Sequence, residues 1–308
     1  MAERGARRLD VGWLLLVTPI LWGATFPAAK LGIERIGVYP FMAWTRLIGF
    51  VTILVALPLL ARREDLRKSL RRVLAPGLLL GTFIFVAYIL QTEGLLRTTS
   101  TNAGFITGLY VVFVPILGLV LFRQRVGRAI WVAVVLSVIG LMLLSVPELD
   151  DLRLRVGDLL VLLSAVVWAA HVVALGRFVG RYPSATLSLA QMGVAALFHV
   201  VAALLIGTGL RVGEAASETW LLLVVTGVLG SGVAYTLQVI AQREISPSRA
   251  VVILAGESVA AAAFSAVWLG ERLKAHQWLG AVLVLLAMVV SELLARRADL
   301  RAELGTPA

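Results

Sequence analysis

The sequence predicts an all-α polytopic membrane protein with ten transmembrane helices in two inverted five-helix repeats. Three observations predict this fold class. First, the 308 residues are 60% hydrophobic and 15% charged, whereas soluble domains are about 45–50% apolar and about 25% charged. Second, apolar runs long enough to cross a bilayer recur along the whole chain. Third, a six-residue segment is repeated 147 residues later.

The apolar runs define the ten spans. A run of about 18 or more residues with few charges predicts a transmembrane helix, because a helix satisfies its own backbone hydrogen bonds in lipid. The first run follows three arginines as a signal peptide would, but it is too long and lacks a clean cleavage site, so we expect it to be retained. The predicted spans are 11–33, 38–60, 73–93, 102–122, 127–146, 157–177, 184–207, 218–241, 246–269 and 274–294.

The net charge of +10 is explained by the loops between these spans. The termini and the even-numbered loops carry 19 of the 28 basic residues, the odd-numbered loops carry 8, and Arg46 lies inside a span. Because basic residues concentrate on the cytoplasmic side, both termini are predicted to be cytoplasmic. The charge therefore indicates orientation in a lipid bilayer and no nucleic-acid partner.

An internal repeat divides the chain into two halves. The segments Val86–Gln91 and Val233–Gln238 match at five of six positions, and the same offset pairs Trp131 with Trp278. This predicts repeats at 1–146 and 147–308 with five spans each, and an odd number of spans inverts the second repeat in the membrane. Inverted repeats are typical of secondary transporters, whose substrate site lies between the halves.

Several motifs extend this interpretation to a family. The segment Leu21–Phe26 followed by Lys30 resembles the first-helix signature of the drug/metabolite transporter superfamily, EamA type, as do Arg46 and Pro115; Trp268–Leu273 is similar to the family's LGE-R-L signature. The resemblance implies a ten-helix secondary transporter, usually an exporter of amino acids or other small metabolites in bacterial inner membranes. Ser258 follows Glu257 where many members have proline, which predicts a straighter ninth helix.

Glu257 is the first candidate functional residue, because it lies near the middle of the ninth span. A carboxylate in the membrane is costly unless it is paired or protonated. It therefore binds a substrate amine, couples transport to protons, or forms a structural hydrogen bond across helices. Its repeat counterpart is Tyr110, so the two halves present different chemistry at the same depth.

Aromatic and polar side chains on the first and sixth spans form a second set of candidates. Trp22, Phe26 and Lys30 are spaced four residues apart on one helix face, with Thr25 beside them. Pro19 and Pro27 bracket this face and predict a kinked helix. In the second half, Trp168 and His171 share a face, and His171 is a second candidate for proton coupling. The alternative for each is packing between helices.

The repeated segment supplies the remaining candidates. Tyr88 with Gln91, and Tyr235 with Gln238, each lie on one helix face and either line a central cavity or join helices by hydrogen bonds. Arg46 either binds a substrate carboxylate or lies at the membrane interface. The full predicted set of cavity residues is Trp22, Thr25, Phe26, Tyr88, Gln91, Tyr110, Trp168, His171, Tyr235, Gln238 and Glu257.

Other chemistry lacks the residues that it requires. None of the three lysines follows a glycine, which excludes a P-loop, and the sequence has no cysteine, no HExxH motif and no cluster at metal-ligand spacing. We therefore expect no metal, no cofactor and no enzyme activity. The Gly104–Gly108 pair and the alanines at 260–263 favour close packing of the fourth and ninth spans, at the repeat axis or in a homodimer.

The sequence thus predicts a secondary transporter of small polar metabolites such as amino acids, working by alternating access and exporting rather than importing. Two alternatives remain. An intramembrane enzyme or lipid-handling protein would need a constellation of reactive side chains. A non-transporting scaffold would bury its polar midplane residues in pairs and would have no aqueous cavity.

Overall fold

A computed structural model describes residues 2–60, 66–98, 100–124, 126–145, 156–212, 217–268, 270 and 272–303. Throughout these residues the regular structure is helical. The helices are α1 (Ala2–Ile36), α2 (Val38–Leu60), α3 (Leu66–Leu95), α4 (Ser100–Gly108), α5 (Tyr110–Phe122), α6 (Arg128–Ser145), α7 (Val156–Phe178), α8 (Ser184–Leu205), α9 (Ser217–Val225), a π-helical segment (Thr226–Ala234), α10 (Tyr235–Ala241), α11 (Pro247–Leu254), α12 (Gly256–Trp268) and α13 (Ala275–Glu303).

These helices confirm the predicted membrane spans. Within the described residues, nine segments are long and apolar enough to cross a membrane, and the remaining predicted span is the shorter apolar helix Arg128–Leu144. Most predicted span ends lie within about three residues of the observed ends, as expected when the length of an apolar run sets the length of a helix. The predicted boundary between the halves, at 146 and 147, lies outside the described residues.

Two spans are interrupted at equivalent positions. The fourth span breaks at Leu109 between α4 and α5, and the ninth breaks at Ala255 between α11 and α12. The Ser258 amide donates to the Ala255 carbonyl at 3.3 Å, a tight-turn bond in place of an α-helical one. The expectation of a straight ninth helix was therefore wrong, because the interruption does not depend on proline. In contrast, α1 runs without a break through Pro19 and Pro27.

The eighth span contains an unusual wide turn. Nine residues, Thr226–Ala234, form a π-helix between α9 and α10, whereas the equivalent part of the third span lies within the continuous helix α3. Segments of π-helix are rare in proteins, and those that occur are often found at functional sites. Glycines 227, 230 and 232 let this segment approach neighbouring helices: a Cβ atom at Gly227 would lie 2.7 Å from Ile48 of α2.

Helix packing follows the symmetry of the repeat. The fifth and tenth spans pack on each other, as do the second and seventh. The contact between α1 and α12 is matched by that between α7 and α5, and the contact between α2 and the π-helical segment is matched by that between α3 and α8. Each contact thus recurs when the two halves are exchanged, which is the pattern that a pseudo-twofold axis produces.

Small residues set the closest helix approach, but not between the spans that we expected. The alanines at 260–263 lie against α1, where a Cβ atom at Gly23 would be 2.4 Å from Ala260. Gly108 lies against Leu141 of α6. The fourth and ninth spans do contact each other, through α5 and α11. The small residues therefore pack α12 on α1 and α4 on α6.

Candidate functional site

A cavity of about 390 Å³ lies between the two halves. Ten of the eleven side chains predicted from the sequence line it, and the side chain of the eleventh, Phe26, lies outside the described residues. The ten come from six different spans, so the helical packing gathers them from distant parts of the chain. They are Trp22, Thr25, Tyr88, Gln91, Tyr110, Trp168, His171, Tyr235, Gln238 and Glu257.

Aromatic rings form the wall of the cavity at its centre. Trp22 and Tyr235 make an edge-to-face contact with centroids 5.1 Å apart, and Tyr88 and Trp168 make another at 4.9 Å. The Tyr235 hydroxyl donates to the Tyr88 hydroxyl at 3.2 Å. These two tyrosines are repeat counterparts, so their contact marks the pseudo-twofold axis. The Trp22 indole donates to the Gly230 carbonyl in the π-helical segment at 3.0 Å.

The two glutamines of the repeated segment have different environments. The Gln91 amide donates to Thr107 Oγ1 at 3.2 Å, and its Oε1 accepts a hydrogen bond from the Trp168 indole at 3.4 Å. Gln238 is buried, and its Oε1 has no hydrogen-bond partner within the described part of the chain. A buried acceptor without a partner costs about 1–3 kcal/mol. The amide oxygen of Gln238 is therefore an uncommitted acceptor, whereas the amide oxygen of Gln91 already accepts from Trp168.

Thr25 and His171 line the cavity with part of their hydrogen-bonding capacity committed to the protein. The Thr25 hydroxyl donates to the Trp22 carbonyl at 2.8 Å. His171 Nε2 lies 3.1 Å from Gln191 Oε1, while its Nδ1 has no partner in the described structure. His171 is buried beside the cavity, so part of its hydrogen-bonding capacity is uncommitted among the described residues.

Glu257 lies in the first turn of α12, directly after the interruption of the ninth span. A carboxylate is favoured at a helix N-terminus by the helix dipole. Glu257 is half-buried, and it makes neither a hydrogen bond nor an ion pair with any residue that the structure describes. Tyr110 and Tyr235 are within electrostatic range of it. The cavity therefore contains an unpaired acidic group at membrane depth.

Arg46 also lines the cavity, a position that the sequence left undecided between substrate binding and the interface. Its guanidinium donates to Ser231 Oγ in the π-helical segment and lies 3.8 Å above the ring of Tyr88. The sequence did not reveal Ser231 as a cavity residue, because its partner is 185 positions away. The available signal was the isolated arginine itself, since charged residues inside spans mark functional sites.

The cavity opens toward one face of the membrane and is closed toward the other. Its lining reaches the ends of spans that flank the odd-numbered loops, where the basic residues are few: Lys30, Ile33, Leu95, Leu144, Leu273 and Gln277. At the opposite end, Gly176 lies against Pro247 and the Gln242 side chain donates to the Val172 carbonyl at 3.3 Å. The Arg177 guanidinium lies 4.5 Å above the Phe122 ring there. The molecule therefore has the form of a one-sided vestibule.

The donor set of the cavity suits a polar organic solute better than a metal ion. Across the described ranges, three or more His, Cys, Asp or Glu side chains do not come together at metal-binding distance. Ser231 accepts a hydrogen bond from the Arg46 guanidinium, which is not the arrangement of a serine nucleophile activated by a histidine base. Among the described residues, the site provides an acidic group at Glu257, a buried guanidinium at Arg46, an ammonium group at its mouth from Lys30, and several aromatic surfaces.

Comparison with known proteins agrees with this architecture. The sequence profile of the EamA-like transporter family matches residues 11–146 and 155–292. An uncharacterized transporter from Archaeoglobus fulgidus is 31% identical over 94% of this chain and 88% of its own length, and one from Bacillus subtilis is 24% identical over 92% and 94%. A crystal structure of a protein 21% identical has a TM-score of 0.77 over 93% of this chain and 98% of its own, which shows a shared fold. The chain belongs to the EamA-like transporter family.

Proposed function

We propose that this protein is a secondary transporter that moves small polar metabolites, such as amino acids, across the membrane by alternating access. Membership of a transporter family supports the transport function, and the cavity between the inverted halves supplies a place for the solute. An aqueous cavity with unpaired polar groups favours a transporter over a scaffold, which would pair those groups. A reactive constellation that would favour an intramembrane enzyme was not found among the described residues.

One observation carries the proposal: the carboxyl group of Glu257 lines the cavity and has no partner among the described residues. A buried charge without a partner is strongly destabilising, so the site gains free energy when a cation occupies it. The ammonium group of a metabolite would supply that cation, and a bound proton would neutralise the group in its absence. Exchange between these two states would couple substrate movement to protons.

The direction of transport and the orientation belong to the same proposal. The distribution of basic residues supports cytoplasmic termini. With that orientation in a bacterial inner membrane, the open end of the cavity faces outward. The resemblance to the drug/metabolite exporters supports export. In that arrangement the present conformation is the one from which an exported solute leaves.

Replacing Glu257 tests this function. Metabolite profiling of overexpressing cells identifies transported solutes, and flux into proteoliposomes then compares wild type with Glu257→Gln. We expect the variant to lose at least about tenfold in flux, since a lost interaction of 1.4 kcal/mol corresponds to tenfold. Glu218→Gln is the matched control, because it removes an exposed carboxylate that does not line the cavity, and it should leave flux unchanged.

An imposed pH gradient separates the two roles of the carboxyl group. If Glu257 or His171 couples protons, wild-type flux should rise with the gradient and the corresponding variant, Glu257→Gln or His171→Gln, should not respond. Flux that ignores the gradient in wild type would remove the coupling role. Normal flux by well-folded Glu257→Gln would contradict the proposed site itself.

A further inference from the structure

Arg46 is a buried cation, and no described residue supplies a counter-charge to it. It lies eight residues after the start of α2, which places it about 12 Å along the helix at a rise of 1.5 Å per residue. It is only 3% exposed, so its side chain does not reach the membrane interface. Within the part of the chain that the structure describes, no carboxylate forms an ion pair with it. Arginine in a span normally pairs or faces a polar pathway.

Its neighbours orient the guanidinium but do not neutralise it. Ser231 Oγ accepts one hydrogen bond, the Met42 sulfur lies 3.7 Å from Nη2, and the Tyr88 ring covers one face. The Nε atom has no hydrogen-bond partner within the described residues. A planar guanidinium presents its N–H groups as a fork that matches the two oxygens of a carboxylate. The contacts thus hold the fork in place and leave donors unused.

We propose that Arg46, positioned by Ser231 and Tyr88, is the binding site for a carboxylate group of the transported solute. The inference rests on the proposed transport function and names a chemical class for the solute. One guanidinium matches one monoanionic group, and the acidic Glu257 in the same cavity disfavours a dianion. Since Arg46 and Glu257 both line the same cavity, a solute that carries an ammonium and a carboxylate group can engage both.

Wild-type protein provides a test that requires no substitution. The thermal stability of the purified protein in detergent is measured with each common amino acid and with the corresponding amino-acid amide, at equal millimolar concentration and ionic strength. A ligand that binds the folded state raises the unfolding temperature. We expect at least one free amino acid to stabilise the protein and its amide, which lacks the carboxylate, to have no effect. Equal stabilisation by both, or by neither in every pair, overturns the proposal.

Variants then locate the site. Arg46→Gln should weaken binding of the stabilising amino acid by about 30-fold or more, as expected when a partner of a buried charge pair is removed, and Ser231→Ala should weaken it less. Lys30→Gln is the matched control, because Lys30 is a cation at the exposed mouth of the same cavity. If Lys30→Gln and Arg46→Gln weaken binding equally, the effect is general attraction and the subsite is refuted.

A purely structural arginine would give a different result. In that case Arg46→Gln would lower the stability of the unliganded protein, while the discrimination between amino acid and amide would persist. The outcome is also separable from that of transport. If carboxylates bind through Arg46 but no bound solute crosses the proteoliposome membrane, the subsite stands and the transporter proposal fails. If Arg46→Gln transports a solute normally, the transporter proposal stands and the subsite is refuted.

Discussion

The hydroxyl groups of Tyr88 and Tyr235 meet at the centre of the cavity, and each is the other's repeat counterpart. The Tyr235 hydroxyl donates to the Tyr88 hydroxyl. Because Tyr235 is buried, its hydroxyl has little access to water as a replacement partner. Removing one hydroxyl leaves the other without this hydrogen-bond partner, whereas removing both leaves no hydroxyl that needs one. The two positions should therefore be energetically coupled.

A double-mutant cycle measures that coupling. We expect Tyr88→Phe and Tyr235→Phe each to lower the free energy of unfolding by about 1–3 kcal/mol, the cost of a buried unsatisfied group. The double variant should be less destabilised than the sum, with a coupling energy of about 0.6–2 kcal/mol, as for hydrogen bonds between membrane helices. Reversible unfolding in mixed micelles gives the three values. Additive effects would show that the two hydroxyls do not interact.

At this scale, ten of the eleven side chains predicted from the sequence line the cavity, although they are a minority of its lining. Polar and aromatic residues inside spans avoid lipid, so their placement toward a common interior could be expected. What the sequence could not supply was the pairing of Arg46 with Ser231, because the pair depends on the second span packing against the eighth. It also could not show that Glu257 lacks a partner, since that is a property of every neighbouring helix together.

At the scale of elements, the interruptions of the fourth and ninth spans have the clearest consequence. Each break lies one or two residues before the residue that faces the cavity, Tyr110 in one half and Glu257 in the other. The broken helix thus presents its first turn to the cavity, which is how discontinuous helices serve transport sites. Apolar periodicity continues unchanged through both breaks, so the sequence could not locate them.

This geometry predicts where proline is tolerated. Ser258 lies in the first turn of α12, and its amide makes only a 3.3 Å bond to Ala255. Proline is accommodated in a first turn but costs about 3 kcal/mol or more inside a helix. We therefore expect Ser258→Pro to retain nearly wild-type stability and Ala262→Pro, inside α12, to be strongly destabilised. Yield and unfolding temperature of the two purified variants provide the comparison; equal destabilisation would argue against a pre-formed break.

At the scale of the whole molecule, the cavity is open at one end and closed at the other. The closed end is held by close packing, such as Gly176 against the ring of Pro247, while the open end is lined by side chains that border the cavity. The sequence predicted the number and order of the spans because lipid imposes their length. It could not predict which end would be open, because that depends on the relative positions of the two halves.

Thiol labelling tests the one-sided opening. The sequence contains no cysteine, so Ser265→Cys at the open end and Ser248→Cys at the closed end each introduce a single thiol of nearly unchanged size. Ser265 lines the cavity and Ser248 is buried. In detergent, we expect a membrane-impermeant maleimide to label Ser265→Cys rapidly and Ser248→Cys only after denaturation. Faster labelling at position 248 would contradict the described conformation.

The same two variants report orientation in cells. With cytoplasmic termini, reagent added to intact cells should label Ser265→Cys. Labelling of this variant only in inside-out vesicles would reverse the proposed orientation, without affecting the result obtained in detergent.

The contact between Tyr88 and Tyr235 has a consequence for the ancestry of the fold. On a twofold axis a residue meets its own copy, so an antiparallel homodimer of half-length chains would already contain this tyrosine pair. Such a dimer would also contain two copies of every charged group around its cavity. Here the repeat counterpart of Glu257 is Tyr110, and that of Arg46 is Gly193, both at the 147-residue offset. Joining the halves into one chain therefore removed the obligation to duplicate charges, and it made possible a cavity in which Glu257 and Arg46 each occur without a charged counterpart in the other half.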